Sequence, residues 1–172
     1  QVTFGSPGTG TGGHLSGELF KLLGGADISH IPYKGNGPAL TDLMGGQIHL
    51  LFATILPAVP HVKSGKLSAI AVSSTKRASL LPDVPTIAEA GVAGYESGSW
   101  TGILAPAGTP REIIETLNRA IVRSLHSPEM REWFKGTGGE PVGNSPAEYR
   151  AFIIAETAKW AKVINAAQLQ AD

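Results

Sequence analysis

The segment Phe4-Gly5-Ser6-Pro7-Gly8-Thr9-Gly10-Thr11-Gly12-Gly13-His14 decides how this chain folds. The apolar run before it, Gln1 to Phe4, predicts a strand end. The run after it, Leu15 to Leu23, predicts a helix with Leu15, Leu19, Leu22 and Leu23 on one face. Between them lies a turn rich in glycine, with Ser6, Thr9 and Thr11 as its hydroxyl side chains. A strand, a Gly-rich turn and a helix start together aim free backbone N–H groups at one point. The helix dipole adds partial positive charge there, so the unit is an anion site by construction. Glycine lets the anion approach the backbone closely, and the three hydroxyls add donors. The segment Ser6, Gly8, Thr9, Gly10 and Thr11 is therefore expected to bind a carboxylate.

Working outward, Gly24-Gly25 stops the first helix. Ile28 to Tyr33 predicts a second strand, and Lys34-Gly35-Asn36-Gly37-Pro38 a second Gly-rich turn. A helix over Ala39–Met44 follows, with Pro38 in its first turn and Gly45-Gly46 after it. Ile48 to Thr54 is nearly continuous apolar sequence, as in a strand buried on both faces. Leu56–Lys63 predicts a short helix and Leu67–Val72 a further buried strand. Gln1 to Ser73 thus reads β-α-β-α-β-α-β, an α/β fold with a parallel sheet.

The remainder has a different character. Leu80 to Thr86 is a proline-braced loop, with one or two helical turns over Thr86–Ala90. Tyr95 to Leu104 reads as extended. Thr109 and Pro110 predict the start of a strongly amphipathic helix that carries Ile113, Ile114, Leu117, Ile121, Val122 and Leu125 on one face. Ser127-Pro128-Glu129 opens another helix. Ser145 to Glu148 forms a capping-box pattern ahead of a long one reaching about Ala167. Glu140 to Val142 is the one candidate strand here. The expected organisation is a substrate-binding lobe over residues 1–104, then a helical segment over 105–172 that belongs to another lobe. Helices with broad apolar faces must pack on something, so the chain is expected to self-associate if their sheet is missing.

Composition excludes several function classes. Fourteen basic and fourteen acidic residues leave no basic stripe for nucleic acid. No apolar run approaches the ~20 residues of a membrane span. The absence of cysteine removes disulfides, thiolate catalysis and Cys–zinc sites. His30, His49, His61 and His126 lack metal-ligand spacing and read as ordinary surface or boundary residues. No nucleophile elbow and no carboxylate pair stand beside the loop, so neither an enzyme, nor a cofactor, nor a metal is expected. The first residue is Gln, as in a processed product or a fragment.

Two competing readings attach to the glycines. Gly8-Thr9-Gly10-Thr11-Gly12-Gly13 satisfies G-x-G-x-x-G, and a nucleotide-dependent α/β enzyme is the alternative function. The end of the second strand, however, carries Tyr33-Lys34 where a ribose-binding carboxylate would stand. Thr11 also replaces the lysine of a phosphate-binding loop. His14 either donates to a ligand carboxylate or packs and caps its helix. Tyr33 either lines the cleft or fills the core. Phe52-Ala53-Thr54 ends the third strand on the same edge, where ligands of open α/β sheets sit, and Thr54 has a hydroxyl to donate. Trp100 reads as hinge or interface packing, Trp133 and Trp160 as core, and Glu156 with Lys159 as a solvated pair.

The chain resembles the periplasmic substrate-binding receptors of tripartite tricarboxylate transporters, the Bug family. The resemblance rests on Ser6-Pro7-Gly8-Thr9-Gly10 with His14-Leu15, Ile31-Pro32-Tyr33-Lys34-Gly35, Pro38 to Leu43 and Gly46-Gln47-Ile48. It continues through Val62 to Leu67, Pro82 to Thr86 with Glu89-Ala90-Gly91, Trp100-Thr101-Gly102, Pro106 to Pro110, and Glu156 with Lys159-Trp160. It implies a periplasmic-binding-protein-like fold of type II. The receptor's two lobes close by a hinge over a small organic acid, which is passed to membrane transporter subunits. It also implies that the N-terminal part of the first lobe lies outside this chain. Many members of the family have Asp where this chain has Ala53, so Ala53 argues for a plain carboxylate rather than an amino acid.

Overall fold

The structure, a computed structural model, describes residues 1–169. Its elements are β1 (Val2–Ser6), α1 (Gly12–Gly24), β2 (Ile28–Pro32), α2 (Asn36–Met44), β3 (Leu50–Leu51), α3 (Ile55–Lys63), α4 (Arg111–Leu125), α5 (Pro128–Thr137) and α6 (Pro146–Ala166). The strands form a parallel sheet in the order β2-β1-β3. Val2 to Ser6 pair in register with Ile28 to Pro32, and Phe4 and Gly5 with Leu50 and Leu51. Parallel pairing requires crossovers, and α1 and α2 supply them. Two caps form where the sequence places them. Gly25, at φ 64°, closes α1 onto the Lys21 carbonyl. The Ser145 hydroxyl accepts from Glu148 N–H (3.3 Å), while Glu148 Oε2 accepts from Ser145 N–H (2.8 Å).

Contacts divide the chain into two compact units. One comprises Gln1–Ser99 with the C-terminal stretch from Trp160, the other Trp100–Lys159. The first unit has its core in Leu19, Ile87, Tyr95 and Val163, with Phe20, Phe52, Val92 and Trp160 packed against it. Tyr95 anchors this core by donating its hydroxyl to the Ser16 carbonyl at 2.9 Å. Burial pushes its phenol pKa up to about 12.

Several sequence expectations need correction. Leu67–Val72 forms no strand of the sheet. Val72 alone pairs, in an isolated bridge to Thr86, and Ile70 is 67% exposed. A strand needs a neighbour along its length, and the two-residue β3 offers too short an edge. The inward face of α1 is not a leucine stripe: Leu22 and Leu23 are exposed, while His14, Ser16, Gly17, Glu18 and Leu19 are buried. Gly17 lies against Phe4 of β1, and this close approach turns the small and polar residues inward. Thr109 does not cap α4; its hydroxyl donates to the Pro106 carbonyl at 2.8 Å, and Pro110 occupies the cap position. Glu140 to Val142 forms no strand.

In the second unit Trp100 makes edge contacts with Tyr149 and Phe152 at 5.9 and 5.3 Å. Trp133, expected in the core, is 58% exposed. Ile103, Leu104, Ile113, Leu117, Val142 and Ile154 are exposed as well.

Candidate ligand-binding site

Because all three strands are parallel, their carboxyl ends meet at one edge, and the N-termini of α1, α2 and α3 follow directly from it. The first turns of these three helices contain no acidic residue. Their partial positive charges are therefore uncompensated from within each helix. Hydrogen bonds tie the three connections together. Tyr33 N–H donates to the Ser6 carbonyl (3.0 Å) and Gly35 N–H to the Pro7 carbonyl (2.8 Å). Phe52 N–H donates to the Gly5 carbonyl at 3.3 Å. Asn36 Nδ2 donates to Thr54 Oγ1 at 3.1 Å.

The first loop is partly self-satisfied and partly open. Gly8 N–H donates to Ser6 Oγ (3.2 Å), Gly10 N–H to His14 Nδ1 (3.0 Å) and Thr11 N–H to the Gly8 carbonyl (3.3 Å). The Thr11 hydroxyl donates to the Gly8 carbonyl at 2.7 Å and caps α1. The N–H groups of Thr9, Gly12 and Gly13 meet no acceptor among the described residues. Two of these three amides belong to the orphan set at the start of α1. Gly13 is required sterically, since a Cβ there would lie 2.5 Å from the Phe52 carbonyl oxygen and 2.7 Å from Pro7 Cδ. Gly10, at φ 72°, has open space around it.

The sequence-predicted residues thus fall into two groups. Gly8, Thr9, Gly10 and Thr11 form the loop, with Thr9 and Gly10 exposed. Ala53 and Thr54 end the β3 connection on the same edge, and Thr54 is the N-cap residue of α3. Ser6 is fully buried, and its hydroxyl donates to the Gly8 carbonyl at 3.0 Å. His14 is 3% exposed and braces the loop from below. Tyr33 donates its hydroxyl to Asp42 Oδ2 at 2.9 Å, which ties β2 to α2; burial and this bond raise its pKa.

Gly12 and Gly13, whose amides are open, were not among the expected contacts, and two further residues were not singled out in the sequence. His30, read as ordinary, stacks on His14 with ring centroids 3.7 Å apart and places Nε2 2.7 Å from Ser6 Oγ. Asn36 opens α2, and its Oδ1 is buried without a partner among the described residues. No sequence spacing marks either. His30 becomes visible only through its register opposite Phe4. Among the described residues no cluster of three metal-ligating side chains exists, and no helix is long and apolar enough to cross a membrane.

A parallel α/β unit with open amides at the carboxyl edge of its sheet is what a binding-protein lobe presents to its ligand, and comparison with known proteins makes this specific. Residues 1–169 match the family described as tripartite tricarboxylate transporter family receptor, and the chain belongs to that family. It is 40% identical over 165 residues to Protein BugT of Bordetella pertussis, covering 96% of this chain and 51% of that protein. Among solved structures it is similar to R. palustris Rpa4515 with adipate, at TM-score 0.80 and 40% identity, covering 96% of this chain and 55% of that one. It is also similar to MatC (Rpa3494) from Rhodopseudomonas palustris with bound malate, at TM-score 0.72 and 31% identity, covering 95% and 56%. The chain thus spans about half the length of these relatives. The family is described as one of receptors, and a further similar structure, at TM-score 0.72 and 31% identity, is that of periplasmic binding protein BugD.

Proposed function

We propose that this chain is the ligand-gripping part of a periplasmic receptor that captures a small di- or tricarboxylate for a tripartite tricarboxylate transporter. The observation that carries this reading is the set of open amides at Thr9, Gly12 and Gly13, beside three helix starts that lack first-turn carboxylates. Adipate and malate, bound in two similar structures, indicate the ligand class. In this proposal one carboxylate docks on those amides, Thr54 and Asn36 bound the pocket, and a second lobe closes over the ligand by a hinge. Residues 1–104 act as the substrate-binding lobe and 105–172 as the return segment of the other, with the stretch from Trp160 packing back into the core of the first unit.

Gly12→Val tests the grip. A Cβ at Gly12 would meet only Ser99 Oγ, at 3.7 Å, which is ordinary van der Waals contact. The branched side chain would nevertheless stand beside the open amides. Titration calorimetry with adipate and malate should show at least about a tenfold loss of affinity, with an unchanged melting temperature. Equal affinity in both proteins, or binding of ATP or NAD in place of the acids, would remove the carboxylate reading.

The exposed apolar side chains of the second unit support self-association of this chain. Light scattering across a concentration series is expected to show species above the 17.9 kDa of the monomer. A strictly monomeric protein would end that part of the proposal.

A further inference from the structure

We propose that the stacked His14–His30 pair is the positioning element of the binding loop, and that it holds Gly8 and Gly10 in the competent shape only while His14 Nδ1 is unprotonated. This deepens the carboxylate-binding reading and rests on it.

The hydrogen-bond pattern assigns the protons. Gly10 N–H donates to His14 Nδ1 at 3.0 Å, so Nδ1 carries the lone pair and Nε2 the hydrogen. That Nε2 faces Glu18 Oε1 at 3.8 Å. On the other side of the stack, Ser6 Oγ donates to the Gly8 carbonyl (3.0 Å) and accepts from Gly8 N–H (3.2 Å). With its single proton committed to Gly8, Ser6 Oγ accepts from His30 Nε2, 2.7 Å away. One imidazole therefore pins Gly10 directly, and the other pins Gly8 through Ser6. Thr9, with its open N–H, is the residue held between the pins.

Protonation undoes this arrangement. A proton on His14 Nδ1 would set two N–H donors against each other across 3.0 Å. It would also place a cation against a second imidazole 3.7 Å away. The titratable groups facing His14 are Glu18 and Lys21 from α1 and His30 from β2, while on β1 Phe4 and Ser6 contact His30. Lys21 pairs with Glu18 at 2.9 Å, which weakens the support Glu18 can lend to an imidazolium. In keeping with this geometry, burial holds His14 below the usual histidine range despite Glu18.

The test has a ligand-free arm and a ligand arm. In the first, the ring nitrogens of His14 and the amide of Gly10 are followed by NMR from pH 7.5 to 4.5. The expected result is an unprotonated Nδ1 at pH 7.5 and a Gly10 amide shift that moves with the His14 midpoint. A protonated Nδ1 at pH 7.5, or a Gly10 amide indifferent to His14, would overturn the proposal. In the second arm, adipate affinity is measured at pH 7.5 and at one unit below the His14 midpoint found by NMR, in the native chain and in His14→Asn, whose side-chain oxygen retains an acceptor near Nδ1 but does not titrate. The native chain should lose about threefold or more beyond the loss in the variant, since only the competent fraction binds; equal losses would overturn the proposal. Adipate's own protonation is common to both proteins. If the Asn variant does not fold, the ligand-free arm decides. If adipate binds neither protein at pH 7.5, the carboxylate reading fails and the ligand-free arm still judges the pin.

Discussion

Gly17→Ala is expected to destabilise the first unit by about 3 kcal/mol, near the upper end for overpacking a core. A Cβ at Gly17 would lie 2.1 Å from Phe4 Cε2, 2.5 Å from Cζ and 2.8 Å from Cδ2. The ring has no room to retreat. Phe4 is fully buried on the central strand, edge-on to Phe52 at 5.6 Å and tilted against His30 at 5.0 Å. Helix α1 must therefore lift from β1, and the loop that joins them moves with it. Urea unfolding should show a lowered midpoint at constant m-value. Phe4→Leu in the same chain should recover part of the loss, because the two positions are in contact and their effects are not additive. A penalty below about 1 kcal/mol for Gly17→Ala would mean that α1 does not sit this close to the sheet.

Acidification should destabilise the chain through His30. Burial first, then His14 and Lys21, hold its pKa at about 4, against 6.5 in a free side chain. Between these values the unfolded state binds a proton that the folded state refuses, so stability rises with pH across the interval. The contribution is complete above pH 6.5 and is lost as pH falls toward 4. At 1.36 kcal/mol per unit the shift corresponds to about 3 kcal/mol, and solvent screening of the partly exposed ring reduces the full loss to about 2 kcal/mol. His30→Gln keeps a donor near Ser6 Oγ and removes the titration. Between pH 7 and 4.5 the native chain should lose more than this variant by most of that amount in urea unfolding, while carboxylate titrations contribute equally to both. Parallel stability–pH curves would show that the imidazole is solvated in the folded state.

Much of the fold was legible because its signals are local. The Gly-rich turn after Phe4, the glycine stop at Gly25, the caps at Ser127 and Ser145 and the apolar face of α4 all follow from neighbouring residues, and the corresponding helices form. The fourth strand was misread for the opposite reason. Leu67–Val72 has strand-like composition, but a ladder depends on an edge that other residues must supply, and Val72 alone finds a partner. The α1 leucines misled in the same way. Periodicity marks a stripe, but how far the helix rotates depends on Phe4 filling the space over Gly17.

The amino-acid order by itself determined the family, the parallel α/β start and the position of the Gly-rich turn proposed to hold the anion, because each rests on residues close in the chain. Tertiary structure alone decided which of the loop's donors remain available. Ser6 and His14 look like ligand contacts in the sequence, yet they lie beneath the loop, bonded to Gly8 and Gly10. His30, sixteen positions from His14, completes that support. The physical reason is that a hydrogen-bond donor is free only if no acceptor reaches it, and the acceptors here come from a neighbouring strand and a helix turn that only folding brings together.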